Sequence, residues 1–414
     1  MNATATPEDK HGLIKPLSKP LSLSTVLVCG GLMVSIAMGI RHGFGFWQLP
    51  MTQTNGWTRE TFTFALALQN LMWGFGQPFA GMLADKYGSP RVAIVGAILY
   101  AAGLALMAVS ASGLAFAGSA GVLIGLGLSG ATYTVVFGVV GRAASPEKRS
   151  WALGMVSAMG SFGQFLMVPV EQSLIDGFGW QGALLVLAVV AFLIAPLSAG
   201  LREPPRVAAS SDQSIMEAIR EAFGNRSFQW LMAGYFVCGF QVVFIGQNLP
   251  AMVRDAGLNA EVARNALMLI GLMNVIGTYT AGTLGGKYAK KNLLSIIYFA
   301  RAAVVLVFIS VPLSPLSIYV FSGVMGLLWL STVPLTSGVI GTVFGLQYLG
   351  MLSGVVFFSH QVGSFTGLWL SGWLFDHFGS YQVMWWVTIA LGMFAGLVNL
   401  PIKEIAVQRV AKPG

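Results

Sequence analysis

The sequence predicts an all-α polytopic membrane protein with twelve transmembrane helices in two pseudo-symmetric six-helix bundles. Three observations predict it: an extreme composition, the even recurrence of long apolar runs, and one polar interruption near mid-chain. Apolar residues make up 55% of the 414 and charged residues only 9%, far outside the range of soluble domains. A crossing helix needs roughly 20 mostly apolar residues. Such runs begin at 24–26 (the first, ending near Pro50) and recur at 61–84, 92–111, 114–141, 151–175, 180–201, 228–252, 263–286, 292–311, 315–340, 350–375 and 381–402. A closed barrel would need strands of about ten residues alternating in polarity, and these unbroken runs reject it.

Residues 1–20 are read as a cytoplasmic tail. They carry Lys10, Lys15 and Lys19, and the following apolar run is too long for a signal h-region and lacks a small-residue cleavage site. Residues 21–201 then form the first bundle. Residues 202–227 break the pattern with Glu203-Pro204-Pro205, Ser210-Ser211 and mixed charge, and are read as a cytoplasmic linker. Inside it, Ser214-Ile-Met-Glu217 has the capping-box pattern of a short interfacial helix. Residues 228–402 form the second bundle and 403–414 a cytoplasmic tail.

Threading the spans from a cytoplasmic start leaves eighteen of the 23 Lys and Arg inside, Arg59, Arg254 and Arg264 outside, and Arg41 and Arg301 within the membrane. The positive-inside rule is thereby satisfied. The net charge of +8 reads as topology and contact with anionic lipid heads of the bilayer, with no nucleic-acid partner. The expected location is the cell inner membrane, multi-pass, with both termini cytoplasmic. Cys29 and Cys238 lie inside spans, match no metal or disulfide spacing, and read as packing residues.

The halves resemble each other at an offset of 200 to 201 positions. Leu49-Pro50 falls on Leu249-Pro250, and Gly76–Tyr87 falls on Gly277–Tyr288 with six identities in twelve positions. Arg41 then faces Gln241. Polar groups at matching depth are expected of a binding site between pseudo-symmetric bundles.

Gly81-Met-Leu-Ala-Asp85-Lys86-Tyr-Gly88-Ser-Pro90-Arg91, between spans two and three, resembles the signature of the major facilitator superfamily, departing at Pro90, where a second basic residue is common. The resemblance implies the major facilitator fold and a cytoplasmic latch, or gate, made by Asp85 and Arg91; the alternative is that these are topogenic charges. In the second-half copy Gly286 stands where Asp85 would be, which weakens any matching latch. Gly56-Trp57-Thr58-Arg59-Glu60 and Phe358-Ser359-His360-Gln361-Val-Gly363-Ser364, followed by Gly372 and Phe375-Asp376, look like the monocarboxylate and oxalate/formate porter branch. That resemblance implies transport of small organic carboxylates, often with a proton. Several members place an arginine in span eight, where this chain has Asn274, Thr278 and Tyr279.

An arginine at a helix centre costs about 2.5–3.5 kcal/mol on insertion scales. Arg41 and Arg301 are therefore expected to face protein or a wet cavity. All fifteen Asp and Glu fall in loops or near span ends, Glu171 being the deepest, so neither arginine has an obvious acidic partner. A substrate carboxylate would supply one, in bidentate geometry. Arg41 lies about 22 Å along its span at about 1.5 Å per residue and is the principal candidate contact. Arg301 is a candidate either for substrate or for structure. Tyr133, Gln241, Asn274 and Gln361 are further substrate-binding candidates, with interhelical bonding as the alternative. His42 and His360 are candidates both for substrate and for proton coupling, since histidine titrates near neutrality; Glu171 is the third coupling candidate. Phe137 and Trp329, among other aromatics, could wall an organic tail or simply pack.

No nucleotide loop, metal cluster or catalytic constellation is present in the sequence, so neither a cofactor nor enzymatic activity is expected. The expectation is a secondary active transporter, monomeric, that moves a small organic anion, a monocarboxylate, by alternating access with a proton as co-substrate. The alternatives are an exporter of amphipathic or drug-like compounds on the same fold and a non-transporting membrane sensor.

Overall fold

The structure is a computed structural model describing residues 21–57, 59–203 and 213–408. Among these residues the regular structure is entirely helical. Nine stretches of the described residues are long and apolar enough to cross a membrane. One of them, Pro146–Leu201, holds two crossings, divided at Gly179, where φ is 68° and ψ 168°. Only glycine enters that region cheaply, so the chain reverses there. Arg59–Tyr87 and Leu349–Phe378 complete twelve. These two are the spans that carry Gln69, Asn70 and Gln77, and His360 and Gln361; their polarity follows from their place at the centre of the molecule.

Helix starts are set by local chemistry. Ser22, Ser112, Asn259 and Ser314 each accept a first-turn amide, satisfying donors that a helix leaves orphaned. Gly88, at φ 93°, is the one-residue turn between spans two and three. In the linker the capping box forms: Ser214 N donates to Glu217 at 2.7 Å and Glu217 N to Ser214 Oγ at 3.2 Å, starting the helix Ile215–Gly224. Residues 204–212 of the linker and the expected tail 1–20 lie outside the described residues.

Three spans are discontinuous. Span one is α-helical over Leu23–His42, tightens to a 3-10 turn at Gly43–Trp47 and resumes at Gln48–Asn55. Gly43 sits against the Glu171 carboxylate, where a Cβ would overlap it. Span four breaks at Thr132, between Ile124–Ala131 and Tyr133–Ala143. Thr132 adopts extended backbone, and its hydroxyl donates to Leu128 O at 2.7 Å. Span ten breaks between Pro315–Leu328 and Thr332–Phe344. Pro334 occupies the first turn of the second piece, where its missing N–H costs nothing. The two breaks stand at equivalent positions of the two halves.

Within the first half, span one packs on span five and span three on span four; in the second, span seven packs on eleven and eight on ten. Spans two and eleven, and five and eight, join the halves. Backbones meet closely there. A Cβ on Gly154 would stand 2.6 Å from Gly282 Cα, and one on Gly354 would stand 2.7 Å from the Gln77 backbone. Both contacts lie toward the end of the molecule that bears the linker, here termed the linker end.

Candidate substrate cavity and linker-end latch

A cavity of about 710 Å³, counting space open to solvent, lies between the halves, lined by Arg41 and His42 of span one, Trp73 of span two and Tyr133 and Phe137 of span four. The second half contributes Tyr235, Trp329, Phe357, His360 and Gln361 among others. The breaks explain its place. Tyr133 and Thr134 open the second piece of span four, and Val333 and Thr336 lie at the start of the second piece of span ten. Each wall thus includes a helix N-terminus, whose partial positive charge favours an anion.

Arg41 is held by a supporting set from span two. Its guanidinium donates to Asn70 Oδ1 and lies over the Trp73 ring, 4.8 Å from the centroid. Trp73 is fixed in turn by its indole N–H, 3.1 Å from Thr132 Oγ1. The Arg41 Nε is buried and has no partner, and no carboxylate lies within ion-pair distance of Arg41 among the described residues. Tyr133 Oη and Ser353 Oγ, also in the lining, are buried without partners. Three buried hydrogen-bonding groups on lining residues are therefore unsatisfied, one of them on a cation.

The histidine tautomers follow from their partners. His42 Nδ1 is 2.8 Å from Met38 O; a carbonyl only accepts, so Nδ1 carries the proton and Nε2 is the basic atom. Gln361 Nε2 donates to Asn70 O at 3.2 Å, which fixes the orientation of that amide. Its Oε1 then accepts from His360 Nδ1 at 3.0 Å, and His360 is likewise basic at Nε2. A polar chain, Arg41 to Asn70 to Gln361 to His360, crosses from one bundle to the other.

Gln241, Asn274 and Arg301, expected at a shared site, lie outside this cavity. The break in span ten leaves carbonyls of its first piece without helical partners. Arg301, buried to 1% exposure, fills that gap: its guanidinium donates to Leu328 O at 3.1 and 2.6 Å and to Trp329 O. It also donates to Gln241 Oε1 at 3.3 Å, while Gln241 Nε2 donates to Thr388 O at 3.0 Å. Asn274 Oδ1 accepts from Leu330 N at 2.9 Å, across the same break. These three side chains complete a broken helix. Glu171 is fully buried behind span one, outside the lining; Trp47 Nε1 donates to its Oε2 at 3.2 Å, and Oε1 has no partner.

At the linker end, Asp85 Oδ2 accepts the amide of Met351 at 2.9 Å, in the first turn of the helix Leu349–Phe378. Its basic partner is Arg142, at 3.0 Å, which also grips Glu203 at 2.6 and 3.0 Å and reaches Leu346 O at 3.4 Å. Arg91, expected to form the latch with Asp85, is exposed and among the described residues reaches only Tyr87 O, at 3.4 Å on its own turn. Arg142 follows a further apolar span and reads in the sequence as one more topogenic charge; its isolation at the end of span four is the available signal. At the equivalent place in the second half, Gly286 offers no carboxylate.

A discontinuous-helix cavity between two six-helix halves is the architecture of a secondary transporter. Residues 27–367 match the Major Facilitator Superfamily, and the chain belongs to that family. It is similar to an uncharacterized MFS-type transporter, YcxA, of Bacillus subtilis, at 25% identity over 63% of this chain and 65% of that protein. It is also similar to monocarboxylate transporter 13 of Bos taurus, at 28% identity over 51% of this chain and 49% of that one. The matched region spans about half to two-thirds of the length of these relatives. Among solved structures, a single-residue variant of the E. coli fucose:proton symporter FucP superposes with a TM-score of 0.69, at 17% identity, over 91% of this chain and 98% of that one. The chain therefore has the twelve-span major facilitator fold and is a multi-pass membrane protein of that family.

Proposed function

We propose that the protein is a secondary active transporter of a small organic anion, a monocarboxylate, and that it works by alternating access with a proton as co-substrate. The observation that carries this reading is Arg41: a guanidinium in the wall of a central cavity, braced by Asn70 and Trp73, with Nε unsatisfied. A carboxylate accepts from such a fork at two oxygens, and charge-assisted bonds of this kind are the strong ones. The two helix N-termini add partial positive charge for the same anion. The similarity to a monocarboxylate transporter supports the substrate class.

His42 neighbours Arg41 and presents Nε2 as its basic atom, so a proton bound there is placed beside the anion. His360, across the cavity, is the second carrier. Glu171 lies behind the wall, bound to Trp47. The charge distribution supports a cytoplasmic linker end and cytoplasmic termini; the reading further places the protein in the cell inner membrane and takes it as a monomer. The halves are then closed on the cytoplasmic side in this arrangement. The process is translocation, without a covalent step.

The test is uptake of radiolabelled carboxylates into proteoliposomes, with and without an inward proton gradient, for the wild type and Arg41→Gln. Saturable, gradient-stimulated uptake that collapses in the variant is expected. Uptake indifferent to the Arg41 charge would point to efflux of uncharged amphipathic compounds, and saturable binding without accumulation to a sensor.

A further inference from the structure

We propose that the cavity selects monocarboxylates that carry an aromatic ring over short aliphatic ones. This rests on the anion-transport reading above and assigns the part of the substrate that Arg41 does not touch.

Both halves contribute aromatic side chains to the lining. Trp73, Tyr133 and Phe137 come from the first half, and Tyr235, Trp329 and Phe357 from the second. They form connected sets. Trp73 and Phe357 meet across the bundle boundary with centroids 4.7 Å apart. Phe357 and His360 lie nearly parallel, at 5.3 Å and 9°, and Tyr235 closes on the other side of His360 at 4.8 Å. Tyr133 and Phe137 pair at 5.4 Å along span four. A planar guest entering this space meets ring faces and ring edges, the two arrangements that aromatic pairs favour.

The polar complement fits such a guest. One end of the cavity holds Arg41, and the other polar groups are mainly hydroxyls, including Thr134, Thr336 and Ser337. The lining contains no carboxylate, and its one amide, Gln361, is committed to Asn70 and His360. A polyhydroxylated guest needs several such bidentate partners and finds none. A two- or three-carbon acid bound at Arg41 would leave the aromatic side chains of the lining without a partner.

The experiment compares [14C]benzoate with [14C]propionate in proteoliposomes of the full-length protein, for the wild type, Phe137→Leu and Phe137→Tyr. A half-saturation concentration for benzoate about tenfold below that for propionate is expected. Losing one ring contact in Phe137→Leu should raise the benzoate KM roughly threefold to tenfold relative to that of propionate. Phe137→Tyr keeps the ring and should keep benzoate preference, which leaves the proposal testable even if the leucine variant fails to fold. Propionate carried as well as benzoate, or a shift of both acids by the same factor in Phe137→Leu, would overturn ring selection while leaving anion transport standing. Transport of neither acid by folded protein would remove the anion reading, and ring selection with it.

Discussion

Asp85, at the end of span two, caps span eleven: its carboxylate accepts the Met351 amide at 2.9 Å across the boundary between the halves. A helix start has unpaired amides and partial positive charge, so the bond joins two rigid elements rather than two side chains. Arg142 holds the other oxygen at 3.0 Å. Asp85→Asn keeps the size and removes the charge, and hydrogen bonds to charged groups contribute about 1.5–3 kcal/mol. Hydrogen exchange of the amides around Met351 should speed up in the variant, and uptake should fall about tenfold as the linker-end closure loses population.

The seam between Gly154 and Gly282 yields a steric prediction. Gly154→Val places three carbons where the Gly282 backbone now stands, so the halves cannot close at the linker end. A cysteine introduced at Thr134, on the cavity wall, should become reactive to a membrane-impermeant thiol reagent from the linker side in the valine variant and stay protected in the wild type.

Arg301 should behave as a structural residue. In Arg301→Leu the carbonyls of Leu328 and Trp329 lose their donor, at roughly 1–3 kcal/mol for each buried group left unpaired. The thermal midpoint in detergent should drop, while the KM of the remaining folded transporter stays within about twofold. An undiminished midpoint with a large rise in KM would place Arg301 on the substrate path instead.

His42→Gln tests the coupling assignment. Glutamine can still donate to Met38 O but binds no proton near neutrality. Gradient-driven accumulation should vanish, while exchange of labelled for unlabelled substrate continues within about threefold of the wild-type rate. If accumulation survives, the same measurement on His360→Gln decides between the two rings.

The twelve spans and the central interruption were readable because lipid imposes long apolar runs, and each run is a local property of the chain. The breaks at Thr132 and after Leu328 were not, since hydropathy continues through them; Pro334 was the one local hint. Arg301 shows the consequence. From the sequence it is a candidate either for substrate or for structure, and the broken helix it repairs gives the structural role its reason. The same limit applies to Arg142, whose partner Asp85 is 57 positions away, and to Glu171 and Trp47, separated by 124. Arg41, His42, Tyr133, His360 and Gln361 do come together around one cavity, because the intramembrane polarity that singled them out is a burden that a central space relieves.

Interlocked side chains must be withdrawn before two surfaces can part, and each withdrawal is a barrier. Where Gly154 faces Gly282 there is nothing to withdraw. Backbone meets backbone at this point, so this part of the joint has no teeth. Such a surface holds the halves together through many weak attractions, yet lets them separate and reseat without rotamer rearrangement. The bareness of this seam makes it a bearing, and any added methyl group a wedge.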